Sequence, residues 1–307
     1  MKYGYCLLIG LLLSSSAIAQ SDSLPHILVL GVAQDGGYPH IGCRRPCCEA
    51  TREQPANRQN VVSLALVSPG ERKWWLFEAT PDLSDQLHLF ATLTKGQYNY
   101  LPDGIFLTHA HIGHYTGLME LGREAMNTSH VPVYALPKMK AFLTNNGPWS
   151  QLVRLQNIDL LELTADSVFR CSGVVQVQPF LVPHRDEYSE TAGFRIVTSA
   201  KKYLFIPDID KWAKYEKSIV QVVKNVDIAF LDATFYTAGE LPFRNIAEVP
   251  HPFVSETMTL FGQEALSERR KVCFIHFNHT NPLMWDPVVR TEVEEKGFSV
   301  AVQGSRW

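Results

Sequence analysis

The segment Thr108-His109-Ala110-His111-Ile112-Gly113-His114 gathers three imidazoles in one short stretch. His109 and His111 stand two apart on a segment that reads as extended backbone, so they can converge on one point once the chain turns. His114 then reaches inward from the start of a following helix. Neutral imidazole nitrogens at such a point suit Zn²⁺, Fe²⁺ or Mn²⁺. The competing reading is three solvated loop histidines. His184 follows Val182-Pro183 and precedes Arg185-Asp186-Glu187, which fits either a further ligand or a surface imidazole paired with its acidic neighbours. Asp208 closes the apolar run Tyr203-Leu204-Phe205-Ile206 and is read as a ligand, although Asp208 and Asp210 also suit the cap of a helix. His276 and His279 stand three apart where another apolar run ends.

A second group of metal-ligand type is Cys43-Arg-Arg-Pro-Cys47-Cys48. Such close neighbours make poor disulfides but can gather as thiolates around an ion. Zinc, a disulfide from Cys43, and free thiols are the three readings. Cys273 alternates with Ile275 and Phe277 and reads as core, and Cys171 carries no signal.

The elements that must position these residues are short apolar runs bounded by turn residues. They fall at 27–30, 61–67, 74–77, 105–107, 131–134, 174–177, 194–197, 203–206, 228–231 and 272–277, and read as strands. Apolar residues at three-to-four spacing predict helices over 81–93, 115–126, 211–223 and 255–269. This order predicts two sheets covered by helices. Glu78 and Asp208 each end a strand in a different half of the chain. Gly31 to Gly37 lacks the lysine of a phosphate loop and reads as a strand-exit loop beside the site, with Asp35 an acid that can approach a metal.

The histidine segment resembles the His-x-His-x-Asp-His signature of metallo-β-lactamase-fold hydrolases. Within that superfamily the chain is most similar to the pyrroloquinoline quinone biosynthesis protein B family and to the phosphodiesterases of the carbon–phosphorus lyase pathway. Phe77-Glu78-Ala79-Thr80-Pro81-Asp82, Val182-Pro183-His184, Ile206-Pro207-Asp208, Asp232-Ala-Thr-Phe235 and Phe274-Ile275-His276 follow in the matching order. The resemblance implies an α/β fold, a four-layer αββα sandwich. It also implies a first ion on His109, His111, His184 and Asp208, and a second on His114, His276 and Asp208. The usual acid between the second and third histidines is Gly113 here. The second ion is therefore weakly held, or Asp232 or Glu78 substitutes, or the protein works with one ion. Asp232 is expected to support the ligands or to replace one. The resemblance to the phosphodiesterases further implies a structural zinc on Cys43, Cys47, Cys48 and His279, with a cysteine spacing that departs from theirs.

The remaining signals bound the function. Met1-Lys2, the apolar run Leu7 to Leu13 and Ala17-Ile18-Ala19 read as a cleaved secretory signal over 1–19. That leaves 20–307 as one domain in the periplasm or outside the cell, with no membrane attachment after cleavage. A formal net charge of −3 and the lack of a basic tract argue against nucleic-acid binding. The expected activity is that of an exported hydrolase using metal-bound hydroxide on a small-molecule ester, phosphodiester or amide. Asp208 would orient the nucleophile, and His114 or His276 would stabilise the developing oxyanion. The alternative is an iron-dependent oxidative enzyme or a quinone-binding protein resembling the quinone-biosynthesis family.

Overall fold

A computed structural model describes residues 23–185, 187–242 and 244–307. The signal-peptide reading of 1–19 lies outside the described residues. Two mixed sheets form the centre. The first contains β1 (His26–Gly31), β2 (Ser63–Ser68), β3 (Lys73–Phe77), β4 (Ile105–Phe106), β5 (Val131–Ala135) and β6 (Ile158–Glu162), in that spatial order. The second contains β7 (Phe169–Arg170), β8 (Val175–Leu181), β9 (Ala192–Thr198), β10 (Lys202–Ile206), β11 (Ile228–Asp232), β12 (Val272–Ile275) and β13 (Ser299–Val300), also neighbouring in sequence order.

Alternation along the strands sorts the side chains into layers. Ile27 and Val29 of β1 join the core between the sheets, while Leu28 and Leu30 join a separate cluster with Leu83, Leu87 and Phe90 of the helix Leu83–Leu93. The sheets lock through aromatic edges: Phe194 of β9 meets Phe77 of β3 at 5.5 Å and Phe106 of β4 at 5.7 Å between ring centroids. Val222, Val254 and Val293, from three helices, pack against the second sheet's side of the core. Helices thus cover both outer faces, in the expected four-layer order. The C-terminal residues close the structure onto β1, with Val29 N donating to Ser305 O at 3.0 Å and Trp307 N to Ile27 O at 2.9 Å. Among the described residues no helix is long and apolar enough to cross a membrane.

Three helices depart from their predicted extents. The segment predicted as one helix over 115–126 is a short α-turn, Ile112–Tyr115, followed by a 3-10 stretch, Thr116–Leu121. Gly117 lies so close to the loop after β3 that a Cβ there would stand 1.9 Å from Thr80 O, and its N–H donates to Ala79 O. That tie tightens the turn. The helix predicted over 211–223 is a 3-10 turn, Trp212–Lys214, and a separate helix, Ile219–Lys224, capped by Ser218. The helix predicted over 255–269 is divided into Val254–Leu260 and Leu266–Arg269, with Gly262 in the break.

Candidate metal centre

Six strands deliver acids or imidazoles to one edge of the sandwich. Glu78 follows β3, His109 and His111 lie beyond β4, and His184 follows β8 after Val182-Pro183. Asp208 follows β10, Asp232 ends β11 and His276 follows β12. Cross-ties hold these exits together. Asp210 N donates to Pro183 O at 2.7 Å, Ala192 N to Thr108 O at 3.0 Å, and Ala79 N to His114 O at 3.0 Å. Glu78 and His276 have φ values of 75° and 68°, a left-handed conformation that non-glycine residues hold only where surrounding contacts fix it.

His109, His111, His184 and Asp208 form one group whose ligand atoms lie within 4.8 Å of one another. His109 Nε2 is 2.9 Å from His111 Nδ1, and His184 Nε2 is 3.2 Å from that same atom. Asp208 Oδ2 lies 3.4 Å from His109 Nε2, 3.1 Å from His184 Nε2 and 4.0 Å from His111 Nδ1. Four ligands bound at 2.0–2.1 Å around a tetrahedral ion stand roughly 3.3 Å apart. The four side chains therefore already have the spacing of a metal's ligand set. His109 Nδ1 pairs with Thr108 Oγ1 at 2.8 Å, which directs Nε2 at the group. Burial first, and the neighbouring His114 second, hold the His109 pKa well below its ordinary value despite Asp208, so the ring is neutral and its lone pair free. Burial alone would raise the Asp208 carboxyl. The imidazoles of His184, His251 and His109 outweigh that effect and hold it well below the usual carboxylate range.

A second group begins at the other oxygen of Asp208. His251 Nδ1 lies 3.1 Å from Asp208 Oδ1 and 2.9 Å from Asp232 Oδ2. Burial opposes its protonation, but Asp232 and then Asp208 more than offset this and hold the pKa up at about 10. His276 joins Asp208, Asp232 and His251 in a buried cluster. Thr234 organises it: its hydroxyl donates to Asp232 Oδ1 at 2.7 Å and pairs with His276 Nδ1 at 2.9 Å, leaving His276 Nε2 without a hydrogen bond. His114, fully buried, forms a third group with His276 and Asp35.

The structure thus brings together His109, His111, His184 and Asp208, and places His114 and His276 beside them. Glu78 and Asp232, the acids offered as substitutes at the second ion, stand behind the imidazoles. Glu78 Oε1 is 3.4 Å from His114 Nδ1, and Asp232 reaches His276 through Thr234. His251 carried no signal in sequence, being a lone histidine between Pro250 and Pro252. At the cysteine cluster, Cys43, Cys48 and His279 approach as one group and Cys47 is not part of it. All five described cysteines are free thiols. Burial, then His40 and Arg45, pull His279 down to about 4, so its ring is neutral.

His251 also lines a cavity of about 490 Å³ with Gln34, Arg185, Arg244, Asn245 and Asn278. A larger cavity of about 710 Å³ lies on the Cys47 side and contains none of the clustered histidines. The smaller one adjoins the chemistry.

The β-lactamase superfamily domain matches residues 73–277, from β3 to the residue after His276. Coenzyme PQQ synthesis protein B from Gluconobacter oxydans (strain 621H) is 28% identical over 301 residues, covering 91% of this chain and 96% of its own. The protein of the same name from Rhizobium meliloti (strain 1021) is 24% identical over 300 residues, with the same coverage. Among solved structures, zinc-bound PqqB from Methylobacterium extorquens superposes with a TM-score of 0.73 at 20% identity, over 92% of this chain and 99% of that one. A diphosphatase of the PhnP family gives 0.66 at 20% identity, over 92% and 96%. The two-sheet architecture is that of these structures, and the chain belongs to the β-lactamase superfamily domain family, with the metallo-β-lactamase fold.

Proposed function

We propose that this chain is an exported metal-dependent hydrolase acting on a small-molecule ester, phosphodiester or amide, with phosphodiesters the first class to test. The observation that carries the reading is the convergence of His109 Nε2, His111 Nδ1, His184 Nε2 and Asp208 Oδ2 at the spacing of one ion's ligands. Export rests on the leader-like residues 1–19 alone. When bound, a divalent ion supplies Lewis acidity and acidifies water toward neutral pH. Zinc suits the set, and iron or manganese fit the same donors.

The chain's own residues do the rest. Asp208 faces the first histidine group with Oδ2 and His251 with Oδ1, so it links the ion's ligands to His251. His251 lines the adjoining cavity, where its ring can contact the leaving group of a bound substrate. Arg185 and Arg244 line that cavity too and supply two cations with which a phosphodiester's charge can pair. Their presence favours an anionic substrate over a neutral amide.

Chelator-stripped protein is expected to show no turnover of bis(p-nitrophenyl) phosphate and to recover it when zinc, iron or manganese is restored. A panel of carboxylic esters and amides run in parallel sets the preference. Turnover by the stripped protein equal to that of the restored one sinks the hydrolase reading. A second reading follows from the relatives named as PQQ synthesis proteins, which match nearly end to end. On that reading the cavity binds a quinone or its precursor, and ligand binding persists where no ester, phosphodiester or amide is cleaved.

We also assign a structural ion to Cys43, Cys48 and His279. The three approach closely, and the site ties the segment after β1 to the loop after β12. Cys48→Ser is expected to lose one equivalent of zinc and to lower the unfolding midpoint, while Cys47→Ser keeps both near wild type. Equal loss in the two variants would instead support the four-ligand set that includes Cys47.

A further inference from the structure

We propose that Asp35, on the glycine-rich turn after β1, is the acid ligand of the second ion, acting with His114, His276 and the shared Asp208 in place of a carboxylate at position 113. The proposal rests on the hydrolase reading of the first site and names a ligand from outside the segment that the superfamily domain matches, residues 73–277.

Space is the first argument. A Cβ built at Gly113 would stand 2.1 Å from Asp35 Oδ1 and 2.7 Å from Asp35 Cα. A side-chain tip can swing away, but a backbone atom cannot without moving the turn. An acid at 113 and this turn exclude each other, so Gly113 is the condition under which Asp35 reaches the site.

Ligand geometry is the second. Asp35 Oδ1 lies 3.3 Å from His114 Nε2, and Asp35, His114 and His276 each offer an atom within 4.8 Å of the others. Asp35 Oδ1, both ring nitrogens of His114 and His276 Nε2 are buried yet make no well-aligned hydrogen bond. Buried polar atoms are nearly always paired, and a cation would satisfy Asp35 Oδ1, His114 Nε2 and His276 Nε2 at once, with His114 Nδ1 left to Glu78. Asp35 adds a carboxylate beside the shared Asp208, and its charge offsets part of the cost of burying a divalent ion there.

Rival acids face elsewhere. Asp232 Oδ1 accepts from Thr234 N at 2.8 Å and from Thr234 Oγ1, and Asp232 Oδ2 accepts from Ile209 N at 3.1 Å. Glu78 faces His114 Nδ1, the nitrogen on the other side of the ring from Asp35. The Asp35 turn is held in place from the neighbouring ligand: Gln34 N donates to Phe277 O, and Phe277 N donates to Val32 O, each at 2.8 Å. Phe277 directly follows His276. Gly37, at φ 69°, lets the chain turn back after Asp35.

The test is zinc content, measured by elemental mass spectrometry on full-length mature protein equilibrated in chelator-buffered zinc, with circular dichroism to confirm folding. Asp35→Ala and His114→Ala should each lose one equivalent, and the double variant should lose no more than either alone. Gly113→Ala should lose that same equivalent although it removes no ligand. Asp35→Asn, which keeps the shape of the side chain, replaces Asp35→Ala if the latter fails to fold. Cobalt substitution adds a second readout, in which the absorption bands of one ion disappear from each of these variants. Wild-type zinc content in Asp35→Ala or Asp35→Asn overturns the proposal, and so does a double variant that loses two equivalents. His184→Ala, run alongside, reports separately on the first site: if it alone retains full zinc, the hydrolase reading fails and the Asp35 result still stands.

Discussion

Asp208→Asn is expected to remove both catalytic ions and to lower turnover by on the order of a thousandfold, which corresponds to about 4 kcal/mol of lost transition-state stabilisation. The substitution is nearly isosteric, so its effect reports charge and ligation more than packing. Asp208 is the residue on which the separate groups converge. Oδ2 stands 3.1 Å from His184 Nε2, 3.4 Å from His109 Nε2 and 3.8 Å from His114 Nε2, while Oδ1 stands 3.1 Å from His251 Nδ1. An amide there can still offer one oxygen, but it no longer balances the charge of an ion among buried imidazoles. His251 would also be left with Asp232 as its only anionic partner among these two. Metal content by mass spectrometry and turnover on the same sample check the expectation. Full zinc content with unchanged turnover would remove Asp208 from the centre of the site.

His184→Ala is expected to lose one ion, to lower turnover by roughly a hundredfold or more, and to leave the equivalent held through Asp35 in place. Its Nε2 is the nitrogen nearest Asp208 Oδ2 in the first group, and its ring faces both His109 and His111. The side chain follows β8 at the edge of the sandwich, where it is buried against Asp208, so its removal should lower stability without unfolding the protein. The midpoint of denaturant unfolding checks that point, and a collapse of the fold would mark a structural role instead. Binding of the substrate should weaken less than turnover, because the cavity-lining Arg185 and Arg244 remain.

How much of this was legible in sequence depended on whether the signal was local. The strands at 27–30, 74–77, 203–206 and 228–231 are short apolar runs between turn residues, and each lies in an observed strand. Ile158–Glu162 escaped notice because two of its residues are acids and its outer end is exposed, so its apolar pattern is brief. The helix Pro287–Glu295 is likewise a charged surface helix with one buried residue, Val293. Helix lengths failed where a glycine or a tertiary tie intervened, as at Gly117 and Gly262, since periodicity does not register the close approach of a distant backbone. In the first group, His109 and His111 were legible from their local spacing, whereas His184, which read equally as a surface imidazole, entered the set with Asp208 through the order of motifs shared with the resembling family. His251 and the role of Asp35 were not. Each depends on a loop placed by contacts far away in sequence, Asp35 by Phe277 and His251 by Asp208 and Asp232. Gly113 pointed toward a missing ligand when read alone. Its meaning changes once the Asp35 turn is seen to fill the space of any side chain there.

The most direct test of the metal-hydrolase reading is a zinc titration of chelator-stripped wild type and His184→Ala, with bound zinc and bis(p-nitrophenyl) phosphate turnover followed together. The structure predicts that wild-type turnover rises as the site of His109, His111, His184 and Asp208 fills, and that His184→Ala neither fills that site nor turns over substrate. Stripped wild type hydrolysing at the restored rate, or His184→Ala matching wild type in both zinc and turnover, would contradict it.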